Sequence, residues 1–266
     1  MYSKGLLIFK YISFWLKASN GKGHGVHSPF VFDFIQQVLR DIDPAQVEFE
    51  KIESKRKDLL SSDEVIEVLD LGAGSTAGNH QKRRLRTIAK NAAKPARFGR
   101  FFFRLIRNYQ IDSVLELGTS LGLTTRYFSK ALQNGSVISI EGSPVIAGLV
   151  QRSLVEEGYK NTQILQGDFD HQLIPSFNQL NGKKLIFFDG NHKYVPTMRY
   201  FKQVLPLCGE LDILVFDDIY WSAEMEHAWS EIKNCEKVTL TIDLFFVGLV
   251  FFRKDFKEKL DFMIRF

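Results

Sequence analysis

The stretch Val114-Leu115-Glu116-Leu117-Gly118-Thr119-Ser120-Leu121-Gly122 decides the fold. Its first four residues are a short strand-favouring run, which Gly118 ends and Gly122 separates from the next segment. Leu123 to Gln133 has helical character, Asn134-Gly135 is a turn signal, and Ser136 to Ile140 is a second strand-like run ending in Glu141. Strand, glycine turn, helix and strand make a βαβ unit, whose two strands must run parallel. Glu141 stands 23 residues beyond Gly118, where an acid at the end of the second strand can hold ribose hydroxyls.

A second glycine stretch, Val68-Leu69-Asp70-Leu71-Gly72-Ala73-Gly74, looks better in isolation. After it come Ser75 to His80 and the basic run Lys82-Arg83-Arg84-Leu85-Arg86, with no second strand expected and no acid at the needed distance. It reads as a structural turn, with a role as an active-site flap as the alternative.

Outward from the deciding stretch the alternation continues. Ser113 to Leu117, Ser136 to Ile140, Thr162 to Leu165, Lys184 to Phe188 and Asp212 to Phe216 read as strands separated by segments of helical period. This predicts an α/β, Rossmann-like fold with a mostly parallel sheet covered by helices on both faces. Val238 to Ile242 and Leu244 to Phe252 lie too close for a helical crossover and must pair as a C-terminal antiparallel hairpin. Residues 1–110 read as a mainly helical extension covering the substrate, with helical patches at Leu6 to Ala18, Pro29 to Leu39 and Ala96 to Asn108. Residues 111–266 form the main domain. Within the extension, Gly21 to Pro29 could be a lid, and His24 and His27 are too few to make a metal site.

Composition narrows the class. With 266 residues, 45% hydrophobic, 25% charged and a net charge of +4, the chain is neither disordered, nor collagen, nor a coiled coil. The 24 Phe mark aromatic burial as a main source of core stability. Residues 1–110 carry 19 Lys and Arg against 11 Asp and Glu, and residues 111–266 carry 16 against 20, so a basic first part precedes an acidic remainder. Cys208 and Cys235 cannot build a disulfide framework and read as packing residues in a reducing compartment. Lys10 and Lys17 interrupt the apolar Leu6 to Leu16 and no small-residue cleavage site follows, so a signal peptide is not expected. The longest apolar run is about half a membrane span. A soluble, cytoplasmic protein is expected.

Gly118 and Gly122 lack the close glycine spacing that lets a backbone approach a pyrophosphate, which disfavours NAD. S-adenosylmethionine, an adenosine without phosphates, suits the loop. The third strand ends in Gln166-Gly167-Asp168-Phe169, where a carboxylate can accept the adenine amino hydrogens and an aromatic can flank the ring. On these residues, 111–252 resembles the class I S-adenosylmethionine-dependent methyltransferases, in which the terminal hairpin completes a seven-stranded sheet. The resemblance implies that Glu116, Gly118, Thr119, Ser120 and Gly122 surround the methionine part. It further implies that Glu141, with Gly142 beside it, binds the ribose, and that Asp168 and Phe169 frame the adenine.

Methyl transfer to oxygen is helped by a base or by a divalent cation that lowers the hydroxyl pKa. Strand Leu185 to Phe188 ends in Asp189, and strand Ile213 to Phe216 ends in Asp217-Asp218. Carboxylates at neighbouring strand ends repel unless a cation sits between them, and oxygen ligands suit Mg²⁺ or another divalent ion. The placement resembles the catechol O-methyltransferase-like and bacterial small-molecule branch, which maps Asp189, Asp217 and Asp218 onto metal ligands. Where that branch has a lysine base, this sequence has His192, so His192 with Asp189 is the catalytic pair and Lys193 the fallback base. Tyr194, Tyr220 and Trp221 flank the same loops as candidate substrate walls. The expected activity is O-methylation of a small-molecule hydroxyl, with a homodimer as one possible assembly. The alternatives are a methyltransferase of RNA or protein using the basic first part, and a non-catalytic cofactor-binding protein. The basic stretch Lys82 to Arg107 reads better as a solvated helix face than as a nucleic-acid site.

Overall fold

A computed structural model describes residues 1–23, 27–40, 49–70, 79–132 and 134–266. The Gly72-Ala73-Gly74 stretch and residues 24–26 of the Gly21 to Pro29 segment, His24 included, lie outside the described residues. In chain order, α1 (Lys4–Lys17), α2 (Pro29–Phe34), a π-type turn Ile35–Leu39 and α3 (Glu50–Ser61) precede β1 (Val65–Asp70) and β2 (Asn79–Arg84). Next come α4 (Leu85–Ala92), α5 (Ala96–Tyr109), β3 (Ser113–Leu117), α6 (Leu123–Ala131), β4 (Ser136–Glu141), α7 (Pro144–Glu156), β5 (Thr162–Gln166) and α8 (Phe169–Phe177). They are followed by β6 (Lys184–Phe188), α9 (Tyr194–Val204), β7 (Ile213–Asp217), α10 (Ala223–Asn234), β8 (Leu240–Asp243), β9 (Val247–Phe251) and β10 (Leu260–Met263). The class is α/β and Rossmann-like, with mostly parallel strands. The chain forms two compact units, Met1–Arg40 with Lys183–Phe266, and Asp41–Gly182.

In the unit 41–182, β3, β4 and β5 run parallel, with Val114 opposite Val137 and Ile138 opposite Gln163. Every residue of β3 is buried, as parallel strands covered on both faces require. Phe98, Phe101, Phe102, Leu105 and Ile106 recur at helical spacing on α5 and are all buried, and α5 packs against α6, with Phe102 and Phe128 ring centroids 5.5 Å apart. The two helices approach closely at Gly99, where a Cβ would lie 2.3 Å from the Tyr127 ring. The Tyr127 hydroxyl in turn donates to Glu53 of α3 at 2.7 Å.

The stretch expected to be mainly helical also contains the antiparallel β1–β2 hairpin, with Val65 opposite Arg84. A second strand therefore does follow the Val68 to Gly74 stretch, but its antiparallel sense makes no βαβ unit. β2 has no apolar residue, so it shows no period-two pattern, and it is held by main-chain hydrogen bonds to β1.

In the unit 1–40 with 183–266, the strand order is β10-β8-β9-β7-β6. β6 and β7 are parallel, and β9 runs antiparallel to both β7 and β8 with Leu240 opposite Phe251, which is the hairpin expected from the sequence. β10 adds an edge parallel to β8; with four residues it is too short to show a pattern. α1 covers a cluster of Phe14, Ala18 and Phe245 with Leu7, Tyr11, Tyr220, Phe246 and Met263.

Candidate active site

The turn after β3 is built by backbone conformation and by two carboxyls. Gly118 and Gly122 have φ of 106° and 69°, in the left-handed region that favours glycine, and a Cβ on Gly122 would meet Val150 at 2.5 Å. Gly118 N–H donates to Ile140 O at 3.0 Å, which ties the turn to β4. Glu141, half-buried at the end of β4, accepts Ser120 N–H and Ser143 N–H, each at 2.9 Å. Burial raises its pKa, and these amides together with that of Gly142 oppose the rise.

Glu116 is fully buried one residue before the end of β3. Its Oε2 accepts the Thr125 hydroxyl at 2.5 Å and the Ser139 hydroxyl at 2.6 Å, while Oε1 has no hydrogen-bond partner among the described residues. Ser139 also shares a 2.5 Å hydroxyl contact with Thr119. Burial pushes the Glu116 pKa up to about 8; the two hydroxyls work against that, and the nearby Glu141 adds to it.

Sequence reasoning missed Arg126. Its fully buried guanidinium donates to Leu121 O at 3.2 Å and Gly122 O at 2.9 Å, strapping the glycine turn to α6. The remaining nitrogens pair with Glu157 at 2.8 and 2.6 Å. Burial would raise the Glu157 pKa, but Arg126 holds it below the usual carboxylate range. One arginine on a short helix gives no sequence signal that separates such a strap from a solvated cation.

Asp168 caps α8, accepting His171 N–H at 2.9 Å, and its carboxylate pairs with the His171 ring at 2.7 Å. The His171 contact lowers its pKa. Asp168 is exposed and Phe169 half-buried. Gly167 N–H donates to Glu141 O at 3.0 Å, which ties the turn after β5 to the end of β4.

In the other unit, Asp189 follows β6 and Asp217 ends β7, in adjacent parallel strands. One ligand atom each from Asp189, His192 and Asp217 lie within 4.8 Å of one another, and His192 Nε2 stands 3.6 Å from Asp189 Oδ1. Asp217 is buried, and the other two are half-buried. This donor set of two oxygens and one imidazole nitrogen fits a divalent cation after a small contraction. Asp218 is outside the group of three. Its backbone is left-handed at φ 52°, and its N–H donates to Phe246 O at 2.8 Å. Ser120 and Asn191 are left-handed as well, at 46° and 54°. Non-glycine residues in that conformation cost free energy and concentrate in functional loops.

The proposed substrate aromatics are spread out. Tyr194 starts α9 and lies against α10, with its ring 4.7 Å from His227 and its hydroxyl donating to Glu231 at 2.7 Å. Tyr220 stacks on Phe245 at 4.9 Å and donates to buried Asp243 at 2.8 Å. Trp221 is partly exposed, and its backbone N–H donates to Asp218 O at 2.8 Å. Lys193 caps α9 without a side-chain hydrogen bond to the helix.

Residues 115–219 match a family model described as a methyltransferase domain. Over this span the chain is similar to a methyltransferase domain. The matched span runs from within β3 to just beyond β7, so it contains Glu116, Glu141, Asp168, Asp189, His192, Asp217 and Asp218. No curated protein matches the chain at a significant level. Several solved structures share this fold. The O-methyltransferase TomG from Streptomyces achromogenes, involved in tomaymycin synthesis and solved with S-adenosylmethionine, has a TM-score of 0.52 at 19% identity, covering 61% of this chain and 82% of that one. The O-methyltransferase from Bacillus cereus, solved with S-adenosylhomocysteine, scores 0.53 at 16% identity over 81% and 96%. The methyltransferase PaMTH1 from Podospora anserina, bound to S-adenosylhomocysteine, scores 0.53 at 14% over 62% and 81%. Among the described residues, no helix is long and apolar enough to cross a membrane.

Proposed function

We propose that this methyltransferase moves the methyl group of S-adenosylmethionine to a hydroxyl oxygen of a small molecule, with a divalent cation assisting. The observation that carries the reading is the buried Glu116 Oε1 without a hydrogen-bond partner among the described residues. A carboxyl in that state lacks a cationic donor, and the ammonium of an amino-acid cofactor supplies one. In this reading Gly118, Thr119, Ser120 and Gly122 surround the methionine part, Glu141 beside Gly142 accepts from the ribose, and Asp168 with Phe169 frames the adenine.

When bound, the cofactor supplies a sulfonium methyl, and the electron pair of its carbon–sulfur bond leaves on sulfur as the new carbon–oxygen bond forms. His192 takes the hydroxyl proton, oriented by Asp189. Asp189 and Asp217 would hold the cation, which lowers the hydroxyl pKa, and Asp218 is the third carboxylate of the sequence assignment. If the His192 nitrogen is itself a ligand, the set suits Mn²⁺, Fe²⁺ or Zn²⁺ as well as Mg²⁺, and Lys193 becomes the base. The O-methyltransferases of Streptomyces achromogenes and Bacillus cereus support oxygen as the acceptor by likeness of fold.

Isothermal titration tests the cofactor assignment. S-adenosylhomocysteine should bind the intact protein, and Glu141→Ala or Asp168→Ala should weaken it about ten-fold or more, the loss expected for one or two charge-assisted hydrogen bonds. No binding by the intact protein sinks the reading. Excess chelator should abolish turnover and Asp217→Ala should reproduce the loss; full turnover in chelator leaves His192 acting without a cation.

A further inference from the structure

Helix α1 is apolar on two sides. Its inner side, Leu7, Tyr11, Phe14 and Ala18, packs on Phe245 and its neighbours. Its outer side carries Ile8, Phe9, Ile12, Trp15 and Leu16, which are 61, 68, 52, 47 and 70% exposed. Their spacing of three and four residues places them on one arc of about 120°. Large apolar side chains gathered in a stripe on an otherwise ordinary surface mark a contact face.

The charge around the stripe selects what covers it. Residues 1–32 contain Lys4, Lys10, Lys17 and Lys22 and no Asp or Glu. On the helical wheel Lys4 borders the stripe on one side, Ser13, Leu6 and then Lys17 follow it on the other, and Arg265 lies over the Trp15 ring at 3.9 Å. Lys10 is neutralised by Glu226 at 2.8 Å. A second copy laid face to face would bring the lysines of one helix against those of the other, with no acid on either α1 to offset them. A protein groove would need its own acids on both rims. A sheet of phosphate headgroups over acyl chains complements apolar centre and cationic edges together, and Trp, Phe and Lys are the side chains that anchor a helix at that boundary. With 14 residues, α1 is about 21 Å long, too short to span a bilayer but long enough to lie flat in its surface.

We propose that α1 docks this methyltransferase on an anionic lipid surface, with the Ile8 to Leu16 stripe in the headgroup boundary and Lys4, Lys17 and Arg265 against the phosphates. The inference is independent of the chemistry assigned to the strand ends. It places the enzyme where an amphipathic or lipid-derived substrate would be concentrated.

The test is co-sedimentation of the full chain with vesicles of phosphatidylglycerol and phosphatidylcholine against vesicles of phosphatidylcholine alone. Binding should favour the anionic vesicles, weaken with salt, and shift the tryptophan emission to the blue, a shift that Trp15→Phe removes. The double variant F9S/L16S should lower partitioning at least about ten-fold, and K4E/K17E should remove the preference for anionic lipid. Both pairs are exposed, so unchanged thermal unfolding and S-adenosylhomocysteine binding verify the fold. Absence of binding to anionic vesicles, or equal binding by these variants, overturns the proposal. A wild-type dimer in sedimentation equilibrium that F9S/L16S converts to monomer, without vesicle binding, assigns the stripe to a second copy and also overturns it.

Discussion

Glu116, one residue before the end of β3, and Glu141, at the end of the adjacent β4, share one electrostatic neighbourhood, yet they are solvated differently. Glu141 rests on backbone amides, while Glu116 has two hydroxyls on one oxygen and none on the other. A carboxyl whose folded pKa is about 8 against an unfolded value of 4.5 binds more protons folded than unfolded across that window. Its contribution therefore falls as pH rises from 4.5 to about 8, by up to roughly 1.4 kcal/mol per pH unit, and levels off above. Glu116→Gln, which keeps the shape without the charge, should flatten that slope and unfold at a higher temperature than the wild type at pH 8, with the two converging near pH 5. Equal slopes in scanning calorimetry across this range would mean that Glu116 is not the group responsible. The strand-end acids were legible because a β-run that stops at a carboxylate is visible in one dimension. Thr125, Ser139 and Arg126 were not, because their partners are brought to them only by the folded chain.

At the scale of elements, α6 does more than follow the glycine turn. Arg126 reaches back to two carbonyls of that turn and is held there by Glu157 beyond α7, so one helix fixes the loop that the cofactor assignment depends on. Arg126→Met retains the apolar stem, removes the donors and leaves Glu157 without its buried partner. It should cost about 2–3 kcal/mol, at the low side for a broken buried pair because Glu157 is partly exposed, and weaken S-adenosylhomocysteine binding as well. Calorimetry and titration on the same preparation check both. Lost stability with unchanged affinity would show that the glycine turn holds itself. The parallel strands and the hairpin were readable for a related reason: their buried, β-branched and aromatic runs leave a pattern even without neighbours. β2, wholly polar, and β10, four residues long, carry no such pattern and exist because a neighbouring strand offers hydrogen bonds.

At the scale of the whole molecule, the unit formed by residues 1–40 and 183–266 is assembled from the two ends of the sequence. Ser19 pairs with Ile264 in a parallel bridge, Ser19 N–H donates to Met263 O at 2.8 Å, and Arg265 N–H donates to Ser19 O at 3.2 Å. Arg265 also donates from its guanidinium to Trp15 O at 2.7 Å. β10 is therefore both the edge of the sheet and an anchor for the end of α1, made between residues more than 240 apart in the sequence. A chain ending at Lys259 lacks β10, Met263 and the whole anchor while keeping Phe245 and Tyr220. Loss of the anchor should release α1 locally, since a 14-residue helix is marginal without tertiary packing. Trypsin should then cut after Lys10 and Lys17 about ten-fold faster or more than in the full chain, while the region around Arg126, whose guanidinium is buried, stays protected. Equal cleavage rates at Lys10 and Lys17 in the two chains would place the hold on α1 in the Phe14 and Phe245 cluster and the Lys10–Glu226 pair instead.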